Sequence, residues 1–535
     1  MRVLLALTVV TVVGLAGTPT LADEDDGIGK IKTGVPNAVT PVPNSAQPSL
    51  IDPDFALRTV AIGTDPLENP SGVITKFGQL SSGVNTEPDE NLYLKFSQNP
   101  GGPTPGFNYG RNFLYQGHEN AGNLAYVTRI NLDVTDPVHR ITLLTPVNPM
   151  TGLTGFNRID GSTWNPFTKT LLFAQEDSAL GGIIQITPNC PPQVTTLYQF
   201  LGRAAYEGIH SDDKGVIYME EDTAGPRPGG LASIDGVPNL PLNAAAQPNS
   251  FIYRYVPNNP ERIEDGGKLQ ALQVIIDGSP VVFHAADPVG DITAKVQRQL
   301  HTPGTSWPIK WVTVHTANKD DPPSALFDAN AAAKAAGATP FKRPENMAWL
   351  PGSGFGTFFF SPTGDTDAPT GRVSQLAARG AWGSIFRVDL GRDDVDHEDH
   401  NGQGKSGKKD GAISIFVLGD QEHSSFDNLA FANERQLLAT EDRGDTLHDQ
   451  LQKLDSVWAF DVKNGHAQRF IALGRDLTAS LPGAEDNEPT GIYVSSGSPR
   501  REGLLGTEEG VQDARGFFTK QHGDNTLFEI VRKPH

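Results

Sequence analysis

Short apolar runs recur along the chain, and six of them end at a polar or acidic tip: "FLYQGHEN" at Glu119, "LLFAQED" at Glu176, "VIYMEED" at Glu221, "FFFSPTGD" at Asp365, "LLATEDRGD" at Glu441 and "FFTKQHGD" at His522. A second apolar run follows each tip: "LAYVTRINL", "GGIIQITP", "FIYRYVP", "GSIFRVDL", "SVWAFDV" and "NTLFEIV". Runs this short, rich in β-branched and aromatic residues and bounded by Gly, Pro, Asn and Asp, read as strands. Their irregular repetition, tens of residues apart, predicts an all-β chain: a six-bladed β-propeller over residues 51–535, with helical and loop insertions.

A second acid precedes the strand that leads into several tips. Glu207 precedes Glu221 by 14 residues, Asp427 precedes Glu441 by 14, and Asp160 precedes Glu176 by 16. Glu345 in "RPENMAW" and Glu488 in "NEPTGIYV" open the same kind of unit. A strand, a tight turn such as Asp213-Lys214-Gly215, and a returning strand consume about that length and bring both ends to one face. Each blade then offers two carboxylates to the same end of a central channel. A ring of carboxylates on an axis is a site for hard cations, and calcium fits an all-oxygen donor set.

Three insertions interrupt the pattern. Residues 280–340 contain "ALFDANAAAKAAGA", the best helix former in the chain, while 391–411 and 497–514 are polar loops. The chain has 57 Gly and 41 Pro, which suits many turns between short strands, and 26 Phe and 6 Trp, enough for a large core. Residues 1–22 have the form of a signal peptide: Arg2, an apolar stretch from Val3 to Ala16, and small residues before Asp23. Residues 23–50, polar and rich in Pro and Ser, are expected to be a flexible leader. The expected product is an exported monomer, periplasmic or extracellular.

The formal charge of −20 argues against nucleic acid and anionic membranes as partners and suits cations. Cys190 is the only cysteine, so no intramolecular disulfide exists. "HEDHNGQGKSGKK" lacks regular ligand spacing and reads as a solvated loop. "GSGFGT" at 352–357 reads as a hairpin turn, because no helix pattern follows it. A Gly-x-Ser-x-Gly elbow and a Ser/His/Asp set are both missing, which argues against a serine hydrolase.

Several segments, in order from about 110 to 531, resemble the PhoX-type alkaline phosphatases, an exported bacterial propeller family. They are "GRAAYEGIHSDDKGVIYMEED", "FIYRYVP" with "GGKLQAL", "KRPENMAW", "FDNLAFANERQLLATED", "NEPTGIYVSSGS" and "FFTKQHGD". The resemblance implies a phosphoester hydrolase acting on a small-molecule substrate, with iron and calcium in its site. It places Glu207 and Glu345 at the family's iron-binding glutamates. Glu221, Asp222, Asp427, Glu441 and Asp442 fall at its calcium ligands, and Arg343 at the arginine that contacts phosphate. Glu176, at the tip of an acid-ended strand, joins the metal candidates.

The chain departs from the family at three points. The segment in which the family carries a cysteine bridging two irons reads "NRIDGSTW" around Asp160. Tyr206 replaces the usual His, and the leader has no twin-arginine pair. These departures point toward calcium (Ca2+) and away from the iron (Fe3+) pair. They keep open a calcium-binding propeller without catalysis, and a calcium-dependent hydrolase of phytase-like or lactonase-like type.

Overall fold

Antiparallel sheets make up most of the regular secondary structure in the computed structural model, which describes residues 27–36, 49–391, 410–474, 488–500 and 514–534. The expected signal peptide, most of the 391–411 loop and most of the 497–514 loop lie outside the described residues. Two sheets have four strands in chain order: Glu87–Lys95 through Ile141–Leu143, and Ile159–Asn165 through Val194–Thr196. A third, Phe426–Asn433 through Ala467–Ala472, gains Leu50–Ile51 as a fifth strand. A fourth runs from Pro489–Ser495 to Leu527–Arg532 and is completed by Phe55–Ala61, so the two ends of the chain close the fold between them.

The remaining large sheet has ten strands and runs from Tyr206–Ser211 to Pro344–Trp349. The long strand Trp307–Asn318 welds its two halves. It pairs with Gly266–Ile276 along its length and meets Gly411–Leu418 through Trp307↔Ile413 and Pro308↔Ala412. The 280–340 insertion therefore supplies a strand as well as helices. Its alanine-rich segment forms the helix Ala329–Ala336, capped by Asp328 accepting from the Ala331 N–H.

Six strands form the inner wall: Glu87–Lys95, Ile159–Asn165, Tyr206–Ser211, Pro344–Trp349, Phe426–Asn433 and Pro489–Ser495. Each touches the next, and the last touches the first. All six carry the same irregularity. Pro88 pairs with His118 and Asn91 with Gln116, so Asp89 and Glu90 stand opposite a single residue. The same two-against-one step recurs at Asp160-Gly161, Glu207-Gly208, Glu345-Asn346, Asp427-Asn428 and Gly491-Ile492. A bulge of this kind bends the strand and re-aims its side chains. Five of the six bulges begin with an acid, and the sixth with Gly491.

Neighbouring inner strands approach closely at the bulges. A Cβ on Gly161 would lie 1.9 Å from the Glu207 carbonyl oxygen, and one on Gly491, whose φ is +60°, 2.4 Å from that of Asp89. Only glycine fits these contacts.

The core lies between successive sheets, and the two-residue period of the middle strands fills both sides. Phe358 and Phe360 bury on one face of their strand and Phe359 on the other, as do Tyr218 and Met219. Each such aromatic contributes about 1.5–3 kcal/mol by burial.

The leader expectation is corrected over 27–36. Ile28 and Ile31 are buried against the Phe426–Asn433 and Gln436–Glu441 strands, with the Ile28 N–H donating to the Ala432 carbonyl at 2.9 Å and the Ile31 N–H to Gln436 Oε1 at 2.9 Å. Ile28, Ile31 and, less deeply, Val35, whose N–H donates to the Arg469 carbonyl at 2.9 Å, dock the segment. Among the described residues no helix is long and apolar enough to cross a membrane.

Gly161→Ala should destabilise the protein by about 1–3 kcal/mol through this backbone clash. Denaturant unfolding monitored by tryptophan fluorescence measures it. A midpoint equal to wild type would show that the strands do not meet there.

Candidate metal centre

The bulges and the ends of the second strands meet in one cavity of about 140 Å³, lined by Asp89, Glu119, Glu176, Glu207, Asp222, Arg343, Glu345, Asp427, Asp442, Glu488 and Gln521. Nine of these side chains are carboxylic acids and one is a base. Asp160 lies just beneath, buried, with both carboxylate oxygens lacking a hydrogen-bond partner. Three triads bring ligand oxygens within 4.8 Å of one another: Asp89, Asp160 and Glu207; Glu119, Asp160 and Glu176; and Glu207, Glu345 and Asp427. Asp160 and Glu207 each belong to two triads, so the three are contiguous.

Of the residues singled out in the sequence, Glu176, Glu207, Asp222, Arg343, Glu345, Asp427 and Asp442 reach this cavity. Glu221 and Glu441 do not, and for both the expectation is corrected. Glu221 accepts from Tyr253 Oη at 2.9 Å, Asn330 Nδ2 at 2.8 Å and the Phe251 N–H at 3.2 Å. Glu441 is held by Arg443 Nη2 at 2.5 Å and by the N–H groups of Ser424 and Ser456, both at 3.1 Å. The cause is strand alternation. Glu221 pairs in register with Tyr206, and Glu441 with Phe426, each opposite the residue before a bulge. Side chains alternate, so the next residues, Asp222 and Asp442, turn to the cavity.

Three acids that line the cavity, and Asp160 beneath it, were not chosen from the sequence. Glu119, Asp160 and Glu488 belonged to the repeating pattern without being selected. Asp89 was missed because the connection between its strand, which ends at Lys95, and the next, which begins at Asn112, stretches its distance from Glu119 to 30 residues. The available signal was an acid opening an apolar run in "EPDENLYL".

Fixed donors hold the carboxylates in place. Gln521 Nε2 donates to Asp89 Oδ2 at 2.8 Å and to Glu119 Oε1 at 3.3 Å, and Asn428 Nδ2 donates to Asp427 Oδ1 at 3.0 Å. The Thr363 hydroxyl donates to Glu345, and that of Thr490 to Asp89. Arg343 forms a fork on Asp222, from Nε at 3.0 Å and Nη2 at 2.9 Å, and its Nη2 lies 3.3 Å from Glu345 and 4.0 Å from Asp442. Arg343 has a φ of 54°, an unusual conformation for a non-glycine residue. Lys342 before it turns the other way, to the buried Asp365 at 2.6 Å.

Burial, reinforced by mutual repulsion, lifts these acids out of the ordinary carboxylate range. Asp89 is pushed up to about 7 and Glu176 to about 8. Glu119, Asp160, Glu207, Glu345 and Asp427 are all raised well above their usual values, burial being the first cause in each. Arg343, together with Arg158 at 3.5 Å from Glu176 and 3.9 Å from Glu119, cannot balance so many charges, so the cavity carries either protons or cations.

The donor set suits oxygen-seeking cations. A thiolate bridge between two irons has no residue here. Cys190 sits in a turn away from the cavity, its N–H donating to the Pro100 carbonyl at 3.4 Å.

The family model "Alkaline phosphatase PhoX" matches residues 244–490. No curated protein matches the chain. Among solved structures, PhoX of Pseudomonas fluorescens in complex with vanadate, a transition state analogue, is similar over 94% of this chain and 97% of its own, with 13% identity and a TM-score of 0.53. A gluconolactonase of Xanthomonas campestris matches over 94% and 99% with 11% identity and a TM-score of 0.37. An aldose sugar dehydrogenase of Streptomyces coelicolor, in its PQQ-bound form, matches over 89% and 98% with 11% identity and a TM-score of 0.33. The segment from 244 to 490, which is similar to the PhoX alkaline phosphatase family, carries Arg343, Glu345, Asp427, Asp442 and Glu488 into the cavity.

Proposed function

We propose that this chain is an exported, metal-dependent phosphoester hydrolase built as a six-bladed propeller. The ten-stranded sheet counts as two blades joined by Trp307–Asn318, which agrees with the six bulged inner strands. The observation that carries the functional reading is the convergence of nine carboxylates and Arg343 on one cavity in a PhoX-type chain. Asp89, Glu119, Asp160, Glu176, Glu207, Glu345 and Asp427 would hold cations, with calcium favoured by the oxygen donors. Bound cations would supply the positive charge that a phosphate ester and its leaving oxygen require.

The chain's own residues do the rest. Asp222 takes Nε and Nη2 of Arg343 and so fixes the plane of the guanidinium. The Nη1 edge is left for a phosphate oxygen, where a rigid planar donor discriminates geometry as well as charge. Gln521, Thr363, Thr490 and Asn428 keep the carboxylates in position, so that little rearrangement accompanies binding.

The same fork favours a second reading. A guanidinium gripped by Asp222, Glu345 and Asp442 can serve only to balance charge, in a propeller whose calcium is structural.

Hydrolysis of an aryl phosphate at alkaline pH should be abolished by a calcium chelator and restored by calcium. Turnover indifferent to chelator would sink the metal-dependent reading. Arg343→Ala should lower kcat/KM at least tenfold while leaving calcium stoichiometry intact, whereas undiminished turnover would assign Arg343 to charge balance alone.

Asp442→Asn and Glu441→Gln should separate in kind. Asp442→Asn should weaken metal binding or turnover with little change in thermal midpoint. Glu441→Gln should lower the midpoint, because it removes the carboxylate closest to the buried Arg443 and leaves only Asp455 at 3.8 Å. The reverse pattern would contradict the register described above.

Stability with chelator should fall as pH rises from about 4 to about 8. Asp89 and Glu176 have folded-state values near 7 and 8, above their ordinary values of 3.8 and 4.5, so the folded chain holds more protons than the unfolded chain across that window. Calcium should flatten the decline. Thermal midpoints across the pH range test this, and a chelated protein that gains stability toward pH 8 would refute it.

A further inference from the structure

One step past the acids of the cavity, the second bulge residues form another ring: Glu90, Gly161, Gly208, Asn346, Asn428 and Ile492. In the cyclic order of inner strands Glu90 and Asn346 stand on opposite sides. Asn346 Nδ2 nevertheless donates to Glu90 Oε1, so their side chains bridge the channel. Gly161 and Gly208, on the two strands between them, leave that half of the ring without side chains. Glu90 Oε2 accepts from the Ser162 N–H at 2.7 Å.

The gap at Gly208 is filled from behind. Glu220, on the second strand of the same blade, has an Oε2 that lies 2.5 Å from where a Gly208 Cβ would stand, and that point is 3.1 Å from the Asn346 Cα. Glu220 is 0% exposed, and neither of its carboxylate oxygens has a hydrogen-bond partner. Asn346 Oδ1 also lacks one. No basic side chain bonds to Glu90 or Glu220 among the described residues. His210, beside Asn346, is kept neutral by burial, with its value lowered to about 4.

We propose that Glu90, Glu220 and Asn346 form an inner cation site in the channel, separate from the cavity above it, that takes a divalent ion of the calcium class. Two carboxylates with no basic partner match a charge of +2, and the unused oxygens of Glu220 and Asn346 are the acceptors such an ion needs. Glycine at 208 is then required twice over, because a Cβ there would stand 2.8 Å from the Glu345 carbonyl oxygen and would displace the Glu220 carboxylate. The site does not depend on phosphoester hydrolysis and would hold the inner strands together whatever the cavity does.

The test is calcium stoichiometry by equilibrium dialysis on the full chain at pH 7.5. Glu220→Gln should bind one calcium fewer per chain than wild type and retain aryl phosphate turnover, if wild type has it, within about twofold at saturating calcium. Glu207→Gln should lose calcium from the cavity while keeping the inner ion. Asn346→Ser, a milder change, should weaken one calcium without removing the others, and it serves if Glu220→Gln does not fold. Stoichiometry and affinities unchanged in both Glu220→Gln and Asn346→Ser, or unchanged in Asn346→Ser if it alone folds, would overturn the site and leave Glu90 and Glu220 as a pair of neutral acids.

Discussion

Carboxylates that share a buried space repel one another, and each loses hydration on entering it. In this protein nine acids face one cavity with only Arg343 inside it and Arg158 against Glu119 and Glu176, and Asp160 lies beneath them with no hydrogen-bond donor. Such an arrangement persists only if charge from outside the chain, as protons or as metal ions, completes it. The frame must also be rigid enough to hold the acids at fixed separations in either condition. Much of the architecture serves that need: a ring of inner strands in mutual contact, closed by a sheet that uses both ends of the chain.

The device that delivers the acids is the bulge. A regular inner strand would place alternate residues toward the channel and present its backbone evenly to its neighbour. The two-against-one step lets consecutive residues such as Asp89 and Glu90 serve different levels of the channel. It also brings adjacent strands so close that Gly161 and Gly491 cannot carry a side chain. The acids on the second strands follow the register of the first. Asp222 and Asp442 face the cavity because Glu221 and Glu441 are paired with Tyr206 and Phe426. Those two glutamates still matter, as buried anchors for Tyr253 and Arg443.

Arg343 stands where the two demands on the site meet. Its fork on Asp222 lowers the charge of the cavity, and on the reading proposed above the same fork would orient the guanidinium for an anion entering from outside. A phosphoester would meet fixed positive groups and fixed oxygens, with the cations between them. An absent thiolate and a donor set of oxygens distinguish this centre from one built around a cysteine-bridged iron pair.

The sequence by itself determined the class of fold and most of the cavity. Period-two burial, turn residues and the recurring acidic tips are local signals; spacing drew attention to Glu207 and Asp427, and the family resemblance to Glu207, Glu345 and Asp427. Tertiary structure decided the rest. Whether Glu221 or Asp222 faces the channel turns on a one-residue register, which adjacent acids in a sequence cannot reveal. Asp89 joined the site across a long connection, and Trp307–Asn318 turned an expected helical insertion into a strand, because pairing partners far apart in the chain were available to both. The docking of Ile28 and Ile31 had the same origin. Side-chain direction and strand partnership are set by contacts between distant segments, and no local pattern encodes them.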